Sequence, residues 1–299
     1  MPSVTTDDLE IHYLESGPQN GWPVVLSHGF PYSPEAFAEV TPLLTAKGAR
    51  VLIPYLRGYG PTKFLSESTP RTGQQAALAL DLIGFVDALG LEQVILAGFD
   101  WGGLASCAAT ALFPEKVRGL VCYGGYDVYD PAESKQPVSP SLEKVMWYQH
   151  LFQSARGEGC LRSSRDEIAQ LLWQEWSPTY QTPTSTKEAF FAAFQNADFV
   201  DVVASVYRHS MGNRPGEQRY VEHEKTLTSR PVIKVPAVTV DGSLDPLKPG
   251  GTEASTRGTF VGRHEHWTLP TGHAFPLEAP QDFARAVLTV KAMADGADD

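Results

Sequence analysis

A mostly parallel α/β sheet interrupted by a block of helices is predicted for this chain by three observations. Short continuous apolar runs rich in Val, Ile and Leu alternate with segments of helical period, the pattern of a parallel sheet covered on both faces. That alternation stops after Tyr126 and resumes after Arg230. At 299 residues and 42% hydrophobic, the chain is long and apolar enough to bury the core such a sheet requires.

The elements follow in order. LEIHYLES alternates apolar and polar positions and reads as an antiparallel edge strand. PVVLSHG is a strand followed by a helix from Ser33 to Ala46, and RVLIPYL is a strand followed by a long amphipathic helix from Thr72 to Leu89. QVILAGF leads into the small-residue helix GGLASCAATALF, and VRGLVCYGG is the next strand. From about Asp127 to Arg230 no buried-strand run occurs, whereas SLEKVMWYQHLFQSARG and EAFFAAFQNADFVDVVASVYRHSMG have helical character. KVPAVTVDG, HEHWTLPTG and a closing helix from Glu278 to about Ala292 complete the sheet domain. The expected division is therefore a core of residues 1–126 and 231–299, with a helical lid of residues 127–230 inserted into it.

Composition narrows the function classes. With 24 Lys+Arg against 35 Asp+Glu the formal charge is −11, so no basic stripe is available for nucleic acid or an anionic membrane, and a small-molecule ligand is expected. Cys107, Cys122 and Cys160 are odd in number and lack paired spacing, which fits a reducing compartment without a disulfide framework. The opening MPSVTTDDLEIHYLESG carries acids in place of an apolar signal core, and no run approaches the roughly 18 apolar residues of a spanning helix. A soluble cytoplasmic chain, monomer or homodimer, is the expectation.

The chemistry centres on GFDWGG, Gly98 to Gly103. It follows a predicted strand and opens a predicted helix, the context in which G-x-nucleophile-x-G forms a sharp elbow. Gly98 and Gly102 permit close backbone approach, and the amides at the helix start favour negative charge at the tip, so Asp100 is expected to be an ionised, exposed carboxylate. Taken alone, Asp100 reads more simply as a helix N-cap. Two distant partners change that reading: Asp245 in DGSLDP and His273 in LPTGHAFP each follow a predicted strand, and nucleophile, acid and histidine occur in the order used by one hydrolase fold.

Four motifs carry a family resemblance: HGFP at His28 to Pro31, RGYG at Arg57 to Gly60, GFDWGG around Asp100, and Gly272-His273. Together they span nearly the whole chain. The chain resembles α/β-hydrolase fold enzymes, and among them the epoxide hydrolases with an aspartate nucleophile. That resemblance implies a mostly parallel twisted sheet with flanking helices and a helical cap inserted after the sixth core strand. It implies a cis bond before Pro31 and an oxyanion hole formed by the backbone of Phe30 and Trp101. The usual elbow has His where this chain has Phe99.

A carboxylate nucleophile suits displacement at a saturated carbon, leaving an alkyl ester on Asp100 that water must hydrolyse with His273 as base and Asp245 orienting it. The leaving group is argued from the lid. An epoxide oxygen gains from a proton donor, and Tyr148 in a YQxxFQ pattern and Tyr207 before Arg208 stand where epoxide hydrolases carry two lid tyrosines. Each tyrosine alone is as readily an ordinary half-buried aromatic. Haloalkane dehalogenases resemble the chain in the Trp101 position, but Phe30 replaces their asparagine; haloacetate dehalogenases carry arginines after the nucleophile, where Trp101 and Leu104 stand here.

The expected substrate contacts are His28, Pro31, Trp101 and His150. His209 reads as lid packing, and His264 and His266 share one strand face without a carboxylate or cysteine at ligand spacing, so no metal is expected. No cofactor is required. Trp173 and Trp176 read as packing, and Asp81 and Asp87 as solvated acids of an amphipathic helix. The same nucleophile serves a dehalogenase, and the fold also serves proteins that bind ligands without turnover.

Overall fold

The computed structural model describes residues 1–296. Among these residues nine strands form one sheet: β1 (Ser3–Thr5), β2 (Leu9–Ser16), β3 (Trp22–Ser27), β4 (Ala49–Pro54), β5 (Lys63–Phe64), β6 (Val94–Gly98), β7 (Val117–Tyr123), β8 (Ala237–Gly242) and β9 (His264–Leu269). Their order is β1-β2-β4-β3-β6-β7-β8-β9, with β5 paired to β2. From β4 to β9 every pairing is parallel, while β2 runs antiparallel to β1, β4 and β5. The expected antiparallel strand is thus present, but β1 lies outside it and forms the edge.

Burial explains the sequence patterns. β3, β4, β6 and β7 are covered on both faces, so Val24, Val25, Leu52, Ile95, Leu96 and Val121 are all buried and the strands read as unbroken apolar runs. β2 has one wet face and alternates. β9 is the opposite edge and tolerates His264, Glu265 and His266.

The flanking helices are Gln75–Ala88, Trp101–Leu112 and Pro280–Ala294. Small residues let Trp101–Leu112 lie against the sheet: a Cβ on Gly102 would stand 1.9 Å from the carbonyl oxygen of Ser27. The continuous helix expected from Ser33 to Ala46 is two short ones, Pro34–Phe37 and Val40–Thr45. Breaking it at Ala38–Glu39 puts Pro42 in a first turn, where its missing N–H costs nothing. Pro280 likewise splits the closing helix from Phe275–Glu278.

Asp81 corrects the sequence reading. It is buried, not solvated, and its two oxygens accept from Nε and Nη2 of the wholly buried Arg57 at 2.6 and 2.7 Å. Burial of the pair opposes both charges, yet the short bidentate geometry keeps the guanidinium protonated, held there by the Asp81 charge. Asp87 is exposed as expected and pairs with Lys116.

Six strands along the sheet path, with β5 beside them, precede the helical segment between β7 and β8. Its helices are Pro140–Val145, Trp147–Leu151, Ala155–Trp176, Thr184–Ala193, Phe199–Ser210 and Val221–Thr228, with a kink at Ser164. The last of these packs on core helices: Glu224 accepts from the Ala76 N–H at 3.1 Å and from Gln75 Nε2 at 3.0 Å. No described helix is long and apolar enough to cross a membrane.

Candidate active site

Asp100 occupies the turn between β6 and the helix Trp101–Leu112 at φ 53°, a backbone region that side chains rarely adopt. Close backbone approaches at Gly98 and Gly29 make the turn possible. A Cβ on Gly98 would lie 2.3 Å from the Gly102 carbonyl oxygen, and one on Gly29 would lie 2.1 Å from Asp100 Oδ1 and 2.5 Å from the Trp101 nitrogen. The Asp100 side chain makes no N-cap hydrogen bond to its helix. Instead the Phe30 N–H donates to Oδ1 at 2.7 Å, and Oδ2 lies 3.1 Å from His273 Nε2. The Phe30–Pro31 bond is cis. Only 12% of the Asp100 side chain is exposed, so the expected exposed carboxylate is a covered one that opens into an internal cavity.

His273 follows β9 and Asp245 follows β8, so all three side chains converge from carboxyl ends of strands. His273 Nδ1 lies 2.8 Å from Asp245 Oδ2, and the other Asp245 oxygen accepts from the Leu247 N–H at 2.9 Å. Burial opposes a charge on His273, but the Asp245 carboxylate and hydrogen bonds to Asp100 and Asp245 outweigh it and push the imidazole up to about 10. At neutral pH the ring is an imidazolium between two carboxylates.

The cavity above Asp100 has a volume of about 450 Å³. Trp101, Leu104 and Val206 give it apolar walls, and Tyr148 and Tyr207 reach it from the helices Trp147–Leu151 and Phe199–Ser210. The two phenol rings meet edge to face with centroids 5.2 Å apart. Burial raises both phenols above their ordinary range, with the neighbouring Asp100 charge adding to the rise, so both remain protonated donors. Phe30 stacks on Trp101 with ring centroids 5.5 Å apart.

Two expected substrate contacts, His28 and Pro31, fall elsewhere. His28 is wholly buried outside the cavity wall; its Nε2 accepts from the Leu56 N–H and its Nδ1 meets the Gly29 carbonyl, each at 3.2 Å. Burial pushes this imidazole down to about 3, so it is a neutral brace between loops. Pro31 also lies off the cavity, and its carbonyl accepts the Trp173 indole N–H at 3.1 Å. His150 lines the mouth of the cavity, half-exposed and 2.8 Å from Glu143. His209 is buried against the Tyr129 hydroxyl at 3.0 Å. His264 and His266 both meet Thr239 Oγ1, and contrary to the sequence reading a carboxylate accompanies them: Asp241 Oδ2 lies 3.1 Å from His266 Nε2. Among the described residues no group of three or more His, Cys, Asp or Glu is arranged to hold a metal.

Sequence reasoning missed the supports of His273. The Trp176 ring lies 5.1 Å from both His273 and Tyr148, and its carbonyl accepts the His273 N–H at 3.0 Å. Glu278 accepts from the N–H groups of Gly272 and Ala274 at 2.8 and 3.0 Å and from Ser177 Oγ at 2.7 Å. The Tyr123 hydroxyl donates to the Gly272 carbonyl. An acid five residues past a GH pair, at the end of a short helix, was the available signal for Glu278.

Residues 23–279 match the family model for the alpha/beta hydrolase fold. A crystal structure from Klebsiella pneumoniae, provisionally named an epoxide hydrolase, superposes with a TM-score of 0.94 at 40% identity, covering 97% of this chain and 96% of that one. Bifunctional epoxide hydrolase 2 of Sus scrofa is 33% identical over 188 residues, which is 60% of this chain and 32% of that protein. A haloalkane dehalogenase of Psychrobacter cryohalolentis is 34% identical over 109 residues, or 36% of this chain and 35% of that one. The match thus spans about a third of the length of these two curated relatives. The chain belongs to the α/β hydrolase fold family, among its epoxide-hydrolase-like members.

Proposed function

We propose that the protein opens epoxides to vicinal diols through a covalent ester on Asp100, with residues 127–230 serving as a cap over the reacting groups. The observation that carries this reading is the division of labour on one carboxylate: Oδ1 is held by the Phe30 amide and Oδ2 faces His273, under two buried phenols.

In the first step Oδ2 attacks an epoxide carbon from behind, forming the Asp100–carbon ester bond as the ring C–O bond breaks. The oxygen leaves with both electrons of that bond and takes a proton from Tyr148 or Tyr207, whose burial keeps both phenols protonated until the ring opens, and a phenolate is left beside the second phenol. Esterification then removes the Asp100 charge that helped to hold the proton on His273. The imidazolium gives up its proton, which restores the tyrosine through solvent, and the neutral ring becomes the base that the second step needs.

In that step His273 takes a proton from water, and the hydroxide adds to the ester carbon while the amides of Phe30 and Trp101 hold the oxyanion. Collapse expels the alkoxide, which takes the imidazolium proton to give the diol, and the carboxylic acid of Asp100 returns a proton to His273, regenerating the resting carboxylate and imidazolium. Asp245 stabilises the imidazolium throughout. No cofactor enters the scheme.

A second reading is dehalogenation by the same nucleophile, favoured by the Psychrobacter relative and by the tryptophan after Asp100. The paired phenols favour the epoxide, because an alkoxide needs a proton and a halide does not. A panel assayed in parallel for diol and for free halide tests the choice. Diol from epoxides without halide from haloalkanes is the expected result; the converse pattern replaces this reading with the second.

A further inference from the structure

Six carboxylates reach the cavity wall: Asp100, Asp245, Asp127, Asp130, Glu133 and Glu143. Against them stand His273 and a single lysine, Lys248, with no arginine among the described residues of the wall. Neither cation awaits a partner. His273 is enclosed by Asp100 and Asp245, and Lys248 Nζ lies 2.8 Å from Asp127 Oδ1, which raises the lysine and keeps it charged. His150 Nε2 lies 2.8 Å from Glu143 Oε2 at the mouth.

The surplus is also arranged along the path of entry. Asp100 and Asp245 lie deep, whereas Glu133 is exposed and Asp130 and Glu143 are half-buried at the open end. Between them the wall is apolar, with Trp101, Leu104, Val206 and Leu247. Low-dielectric walls of one sign focus the field in such a cleft. A carboxylate-bearing molecule would enter against that field and lose its hydration without finding an unpaired cation. An uncharged molecule meets neither cost, and a cationic group held at the mouth gains from it.

We infer that the cavity is a charge filter: it takes epoxides that are uncharged or carry a cationic group at the end remote from the ring, and it rejects those that carry a carboxylate there. This rests on the epoxide-opening reading above and narrows its substrate class.

The test uses three epoxides matched in length, ending in a tert-butyl, a trimethylammonium or a carboxylate group, and reads kcat/KM for the full chain and for Asp130→Asn/Glu133→Gln. At low ionic strength the carboxylate is expected at least about tenfold below the tert-butyl compound, with the ammonium compound at or above it. Raising salt to about 0.5 M narrows the spread, because screening shortens to a few ångströms. The double variant lowers the ratio of ammonium to carboxylate several-fold. A carboxylate turned over as well as the tert-butyl compound overturns the filter, as does a ratio insensitive to both salt and the double variant. Failure of all three epoxides to open overturns the epoxide reading itself, and the filter with it.

Discussion

His273 Nε2 lies 3.1 Å from Oδ2 of Asp100, the carboxylate oxygen that the Phe30 amide leaves for other work. With Asp245 on its far side, the ring is protonated in the resting protein and is pushed up to about 10 from an ordinary 6.5. Because the folded state binds this proton more tightly than the unfolded chain, the stabilisation is fully present below about pH 6.5 and is lost as pH rises through about 10. Urea unfolding across that window is expected to show stability falling with pH, and His273→Gln to flatten the slope. Equal slopes in the two proteins would remove the imidazolium from the account.

The two phenols share one task, so losing both should cost more than losing either. Tyr148→Phe and Tyr207→Phe are each expected to lower kcat/KM for an epoxide about tenfold or more, and the double variant to reach 10²–10⁴-fold, the span of positioned proton donors. Ring packing is retained in both variants. Stopped-flow measurement should locate the loss in ester formation; a loss confined to ester hydrolysis would contradict the donor role.

Glu278 fixes the loop that presents His273 by accepting from two of its backbone amides. Glu278→Ala leaves the Gly272 N–H unpaired, at roughly 1–3 kcal/mol, and leaves the Ala274 N–H with Ser177 Oγ alone. Turnover is expected to fall about ten- to hundredfold with the ester accumulating, whereas Glu278→Gln recovers part of the rate. A lower stability with an unchanged partition between the two steps would mark Glu278 as structural only.

Arg57 and Asp81 form a buried bidentate pair between the loop after β4 and the helix Gln75–Ala88. Asp81→Ala is expected to destabilise the protein by about 3–5 kcal/mol because it strands a buried guanidinium. Arg57→Met/Asp81→Leu should recover most of that loss in urea denaturation; a double variant as unstable as the single one would show that the pair does more than neutralise itself.

The parts of the site legible in the sequence are those set by local chain geometry. Gly98, Asp100 and Gly102 announce a strand-to-helix turn, and Asp245 and His273 each follow an apolar run that becomes a strand. What escaped depends on chain segments far apart. Asp81 occupies a polar position of its helix and is buried only because Arg57 arrives from the loop after β4. His28 lies beside the oxyanion-forming amide in sequence, but its ring turns away to meet Leu56. Asp100 is covered rather than exposed because aromatic residues of the inserted helices lie above it. The charge of the cavity mouth comes from the loop carrying Asp130 and Glu133, and no local pattern says what that loop faces.

Intact-mass analysis of His273→Gln mixed with an epoxide that the native chain consumes bears most directly on the central claim. A stable increment equal to the whole epoxide, mapped by peptide sequencing to Asp100, is expected. Unmodified protein, or an increment on any other residue, would contradict it.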